Sequence, residues 1–228
     1  MSSRFTQHYT WAEVYTFFGL FGELSTPRNL PARYNIAPTT FIDVVTSRIR
    51  GREIVGREMV PMRWGLIPDW WKKSRKEVPA TFNARAETLS ERPMFSGGFK
   101  YRRCIIPASG FYEWSGGKEA RQPHYFTAAD GSPLLAFAGL WDRWIDPDNF
   151  DEVISATIIV SEASPYRDRR PVLLEPQDFD GWLTGSSGSE VLKPAAAGKL
   201  REHLVSPRIN RPGMGDGDPT VIEPVVRI

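Results

Sequence analysis

Asn83, Arg85 and Glu87 stand at every second position of Thr81-Phe82-Asn83-Ala84-Arg85-Ala86-Glu87-Thr88. In an extended chain this spacing puts an amide, a guanidinium and a carboxylate on one face and leaves Ala84 and Ala86 on the other. Such a face makes poor core and a good start for a polar site. The same alternation also describes a half-solvated edge strand, and the segment alone leaves both readings open. A second carboxylate, Glu113, sits among aromatics in Gly110-Phe111-Tyr112-Glu113-Trp114. Desolvation there would raise its pKa and make it a proton donor and acceptor near neutral pH; a glutamate on the outer face of a hairpin is the other reading.

Cations and aromatics interleave elsewhere. Lys72, Lys73, Arg75 and Lys76 follow Trp70 and Trp71; Arg102 with Arg103 and Arg167, Arg169 and Arg170 form further clusters. Stacking rings beside cations suit a protein that holds bases and phosphates of single-stranded nucleic acid, whereas a solvated basic loop explains residues 72–76 by themselves. Net charge adds little, because 29 basic residues face 27 acidic ones. There is no phosphate-binding glycine loop, no His-Glu-x-x-His and no pair of cysteines, so nucleotide hydrolysis and zinc chemistry lack support and no metal or cofactor is expected. His8, His124 and His203 are the imidazoles open to base catalysis; a serine-histidine triad survives the residue count, though no Gly-x-Ser-x-Gly elbow announces one.

The elements that must position these groups are mostly strands. Thr10-Trp11-Ala12-Glu13 fits a capping box, and Val14, Phe17, Phe18 and Phe21 recur at helical spacing, which predicts a helix to about Gly22. Residues 25–38 read as a loop. Strand-like runs follow at 41–46, 54–64, 103–106, 111–114, 124–127, 134–141, 154–160 and 221–226, with turns at Ser115-Gly116-Gly117-Lys118 and Asp130-Gly131. Pro176 and Pro194 can each open a helix, the second covering 195–204. Hairpin-joined strands with helices set apart predict an α+β fold. The 228 residues contain no strong boundary, so one domain over 1–228 is expected, and a hydrophobic content of 41% is an ordinary globular value. The lone Cys104 reads as a buried strand thiol. No apolar run long enough to cross a bilayer is present, and the expectation is a cytoplasmic monomer.

Together these pieces resemble one family, the SOS-response-associated peptidase or abasic-site processing proteins. The resemblance rests on Arg4-Phe5, Arg33-Tyr34-Asn35-Ile36-Ala37-Pro38-Thr39, Arg63-Trp64-Gly65-Leu66-Ile67-Pro68-Asp69-Trp70-Trp71, Phe82-Asn83-Ala84-Arg85-Ala86-Glu87-Thr88, Arg103-Cys104-Ile105-Ile106-Pro107, Gly110-Phe111-Tyr112-Glu113-Trp114 and Asp168-Arg169-Arg170-Pro171. It implies a single α+β domain of curved, mostly antiparallel sheets with a few peripheral helices. It also implies capture of abasic sites in single-stranded DNA by the α-amine at position 2, exposed by loss of Met1, with strand cleavage by β-elimination as a partner activity. An α-amine, with a pKa of roughly 7.7 to 8.0, keeps a useful uncharged fraction at neutral pH; a lysine does not.

By the same resemblance Asn83 orients the amine, Glu113 serves as acid and base, Arg4, Arg85, Arg169 and Arg170 belong to the DNA-binding set, and Trp70 and Trp71 stack or separate bases. Two positions depart from the family pattern. Ser2 replaces the family's cysteine, and Arg167 stands where the family has a histidine before Asp168. A hydroxyl is a weaker nucleophile than a thiol, so an imine at Ser2 would lack the stable sulfur ring closure, and arginine does not shuttle protons at neutral pH. A DNA-binding module without chemistry and an N-terminal-nucleophile peptidase are the alternative readings.

Overall fold

The longest alternating stretch of the chain folds back on itself as the antiparallel pair that anchors the larger sheet. A computed structural model describes residues 3–20, 28–51, 53–117, 121–162, 169–196 and 198–225. Ser2 and Arg167 lie outside the described residues.

In chain order the strands are β1 (Phe5–Gln7), β2 (Arg33–Ile36), β3 (Phe41–Arg50), β4 (Glu53–Trp64), β5 (Asn83–Arg85), β6 (Arg103–Ala108), β7 (Gly110–Ser115), β8 (Gln122–Ala128), β9 (Leu135–Ile145), β10 (Glu152–Glu162), β11 (Arg169–Pro171) and β12 (Leu200–Leu204). The helices are α1 (Trp11–Phe18), α2 (Pro93–Tyr101) and α3 (Phe179–Thr184). One sheet runs β12-β8-β7-β1-β2, the other β11-β10-β4-β3-β6-β9. Because β10 also pairs with β9, the second path returns on itself as a partial barrel. Pairing is antiparallel except where β10 meets β4 and β5. This is the expected α+β class of curved, mostly antiparallel sheets.

The core divides accordingly. Phe5, Ile36, Trp64, Phe111, Phe126, Phe137, Ile158 and Val160 form one buried cluster, which joins residues from both sheets. Val14, Phe18, Phe179 and Trp182 pack with Val45, Ile105 and Leu140 in another, which seats α1 and α3 on the barrel. Cys104 is fully buried, and burial pushes its thiol well above the ordinary value.

Several expectations need correction. The capping box at Thr10 and Glu13 forms, but Gly19 adopts φ 56° and ends α1 after Phe18, short of the expected Gly22. The supposed loop over 25–38 contains β2. No helix covers 195–204; Gly198 turns at φ 82° and Leu200–Leu204 pairs with the edge of β8. Residues 219–222 form a 3-10 turn capped by the Asp218 side chain, where a strand was expected. The helix α2 was not foreseen, since Gly97 and Gly98 argue against one; Gly98 lets it approach β9, where a Cβ would lie 3.2 Å from Leu140 Cβ.

The polar strand is shorter than its spacing suggests. Asn83 and Arg85 share a face of β5, Ala84 is fully buried behind them, and the chain then turns into a 3-10 segment at Ala86–Thr88. Glu87 thereby leaves that face. It accepts from Arg169 Nη1 at 2.6 Å and from the Glu162 backbone N–H at 3.2 Å, while Arg169 Nη2 donates to Glu162 Oε1 at 2.8 Å. The clamp ties the end of β5 to β10 and β11.

Two outcomes follow from this packing. A Cβ at Gly110 would press on the Tyr125 ring and lie 2.6 Å from the Phe126 carbonyl oxygen. Gly110→Ala is therefore expected to lose about 1–3 kcal/mol in denaturant unfolding, with Gly117→Ala, whose Cβ meets nothing within 4 Å, as the unaffected control. At Glu87, partial burial pushes the carboxyl up, but hydrogen bonds from its own backbone, Arg169 and Glu162, with the Arg169 charge, hold it below the ordinary value. A carboxyl held low contributes stability above its unfolded pKa of about 4.3 and loses it as pH falls through the lower folded value. Glu87→Gln should thus cost under about 1 kcal/mol near neutrality, since the Glu87 side chain is 44% exposed and solvent screens the pair, and the two proteins should converge in acid; urea midpoints on either side of that range read the difference.

Candidate functional site

The N-terminal strand is fixed by a side chain expected to face outward. Arg4 is only 8% exposed. Its Nη1 donates to Asn35 Oδ1 at 2.9 Å and to the Ile209 carbonyl at 2.7 Å, and its Nη2 to the Asn210 carbonyl at 3.4 Å. The guanidinium also lies 5.7 Å from the Trp114 ring centre. Burial is the main cause that lowers its pKa from the ordinary arginine value. Asn35 in turn donates to the carbonyls of Met214 at 2.7 Å and Arg211 at 3.1 Å, so the segment around 209–216 wraps over the start of β1. In place of an outward phosphate clamp, the structure gives Arg4 an internal one.

The main chain continues the restraint. Phe5 pairs with Phe111 and Thr6 with Gly110, and the Tyr112 N–H donates to the Arg4 carbonyl at 3.1 Å. The strand begins at Phe5, and the bond from Tyr112 to the Arg4 carbonyl carries its contact with β7 one residue further toward the N-terminus, as far as the residue before Glu113. Glu113 is 7% exposed, which decides for burial among its aromatic neighbours over an outer hairpin face. Below them the rings form a connected set: Phe82 to Trp64 at 6.0 Å, Trp64 to Phe5 at 5.0 Å, and Phe111 to Phe126 at 5.1 Å. Trp64 Nε1 donates to the Phe82 carbonyl at 2.8 Å. Through Phe137, which meets both Phe5 and Phe111, these contacts connect the residue before Asn83 with β1 and with β7, the strand that carries Glu113.

Asn83 and Arg85 line a groove of about 470 Å³ together with Trp70, Thr81, Arg92, Pro93 and Phe95. Trp70 is 47% exposed there. Trp71 is half-buried, with its Nε1 donating to the Ser74 carbonyl at 3.2 Å and its own carbonyl accepting from Trp144 Nε1 at 2.7 Å. The pair is thus divided between an exposed ring and a packed one. Arg85 and Arg92 form no ion pair with any described residue, and a guanidinium so placed can meet an anion from solvent. Arg92 was missed in the sequence; the Pro93 that opens α2 at its first position marks it as a helix N-cap residue.

The remaining cations divide in the same way. Arg169 is held between Glu87 and Glu162, so its expected place at a phosphate is not the one its bonds describe. Arg170 lies 4.5 Å over the Phe126 ring. Of the imidazoles, His8 stacks on Tyr34 at 5.0 Å, and burial lowers its pKa; His203 Nε2 meets the Ile222 carbonyl at 2.8 Å. His124 lies between Ser115 and Glu202. Among the described residues no group of three His, Cys, Asp or Glu side chains is placed to hold a metal ion, and no helix is long and apolar enough to cross a membrane.

Comparisons with known proteins agree with this architecture. The family model described as SOS response associated peptidase (SRAP) matches residues 1–212. The chain is 31% identical over 233 residues to the abasic site processing protein YoqW of Bacillus subtilis (strain 168), covering 98% of this chain and 99% of that protein. It is 31% identical over 175 residues to the abasic site processing protein YedK of Escherichia coli (strain K12), covering 73% and 71%. A solved protein from Bacteroides thetaiotaomicron has the same fold, with a TM-score of 0.82 at 23% identity over 98% of this chain and 99% of that one. A match of this length, on a fold with the same arrangement, makes the chain a member of the SOS response associated peptidase family.

Proposed function

We propose that this chain captures abasic sites in single-stranded DNA through an imine formed by the α-amine of Ser2. The observation that carries the reading is the pairing of β1 with β7, which runs from Thr6 back to the Arg4 carbonyl held by the Tyr112 N–H, the residue before the buried Glu113. The names of the relatives, abasic site processing proteins, support the abasic site as the lesion.

The ring-opened abasic sugar offers an aldehyde. The uncharged amine of Ser2 adds to its carbon, and loss of water from the adduct gives the imine. Both steps move protons, which is the work assigned to Glu113. Asn83 orients the amine and sugar. Arg85 and Arg92 hold phosphates along the groove while Trp70 stacks on a base, an arrangement that tolerates any sequence and weakens with salt. Arg4 acts by fixing the strand whose end carries the amine. Ser2 lacks the thiol that closes a stable ring, so the adduct reverses or proceeds to β-elimination at the acidified neighbouring carbon.

A second reading is favoured by the same groove: Trp70, Arg85 and Arg92 can bind intact single-stranded DNA with no chemistry at all. The two separate on one comparison. Incubated with abasic single-stranded DNA, the natural chain is expected to give a crosslink only when borohydride is present, whereas Ser2→Cys gives one without it. No trapped product from either protein would leave the binding reading alone. Trp70→Ala combined with Arg85→Ala should weaken binding to intact and abasic oligonucleotides alike, by roughly 1–3 kcal/mol for the stacked base alone; fluorescence anisotropy measures it.

A further inference from the structure

We propose that Ser115, His124 and Glu202 form an acyl-transfer site, separate from the groove, with Ser115 as nucleophile toward small activated esters. Ser115 Oγ and His124 Nε2 are 2.6 Å apart, and His124 Nδ1 and Glu202 Oε1 are 2.5 Å apart. A carboxylate only accepts, so Nδ1 carries the proton to Glu202 and leaves Nε2 free to accept from the serine hydroxyl. That is the tautomer a serine nucleophile needs.

The sheet produces the alignment. β7, β8 and β12 are neighbours, with Glu113 opposite His124 and His124 opposite Leu204. Ser115 is two residues from Glu113, and Glu202 two residues from Leu204, so all three side chains rise from one face. The nucleophile is the accessible member and the imidazole the more covered one. The His124 side chain is 19% exposed and that of Glu202 40%, while Ser115 is open to solvent at the strand end. The following residue, Gly116, turns at φ 85°, and its backbone N–H occupies the chain position from which acyl-transfer sites draw an oxyanion donor.

In the reaction, the Ser115 Oγ bonds to the acyl carbon as its proton passes to His124 Nε2, and Glu202 stabilises the imidazolium. The ester C–O bond then breaks and the leaving oxygen takes the proton from Nε2. Water, deprotonated by the same nitrogen, attacks the acyl-serine and releases the acid, returning the proton to Ser115. Ester and water become acid and alcohol, with no other reactant.

A fluorophosphonate probe tests the site, with intact mass and peptide mapping as the readout. The expected result is a single label on Ser115, absent in Ser115→Ala and slowed roughly 100-fold or more in His124→Gln. Ser115 is exposed, so its alanine variant keeps the fold, and a matching thermal melt confirms it. No label, a label on another serine, or labelling of His124→Gln at the natural rate would overturn the proposal and reduce the three residues to a hydrogen-bonded tie across three strands.

Discussion

A buried guanidinium organises the end of this molecule that the functional reading depends on. Arg4 bonds to Asn35 on β2 and to the carbonyls of 209 and 210, so one side chain joins the first residues of the chain to a segment two hundred positions away. Hydrogen bonds to a charged group contribute about 1.5–3 kcal/mol each, and a carbonyl partner left buried and unmet costs about 1–3 kcal/mol. The contacts are therefore cooperative: β1 holds its register against β7 while the 209–216 segment is closed over it. The Arg4 carbonyl is then held at Tyr112, the residue before Glu113.

The same physical demand separates cations that bind the protein from those that can bind something else. Arg4 and Arg169 have internal acceptors that use their planar geometry, a pair of carbonyls and an amide in one case and two carboxylates in the other. Arg85 and Arg92 face a groove with an exposed tryptophan. A desolvated cation needs fixed partners, whereas a cation left in water keeps its capacity for a ligand. Sorting the arginines by this rule puts Arg4 among the internally bonded cations and adds Arg92 to those that line the groove.

Much of this was legible in the residues. The strand runs from 41 to 64 and from 103 to 160, the capping box at Thr10 and the burial of Cys104 all follow from local pattern, while Glu113 among its aromatics left burial and an exposed hairpin face equally open. The face shared by Asn83 and Arg85 follows from local pattern too. What pattern did not carry was tertiary. Glu87 continues the alternation in sequence, yet the chain turns after Arg85 because Glu87 is drawn to Arg169, a partner more than eighty residues away. Residues 200–204 follow an alanine-rich start and read as helix, but the open edge of β8 takes them as a strand. Arg4 in isolation is a surface cation; its burial depends on carbonyls near the far end of the chain.

The central claim is that the start of β1 delivers an amine to the aldehyde of an abasic site. The most direct measurement is the position of the covalent bond: borohydride-reduced adducts with abasic single-stranded DNA, digested and mapped by mass spectrometry. The account predicts the reduced sugar on the α-nitrogen of Ser2, in the peptide that ends at Arg4. A sugar carried instead by a lysine, with the Ser2 amine unmodified, would contradict it.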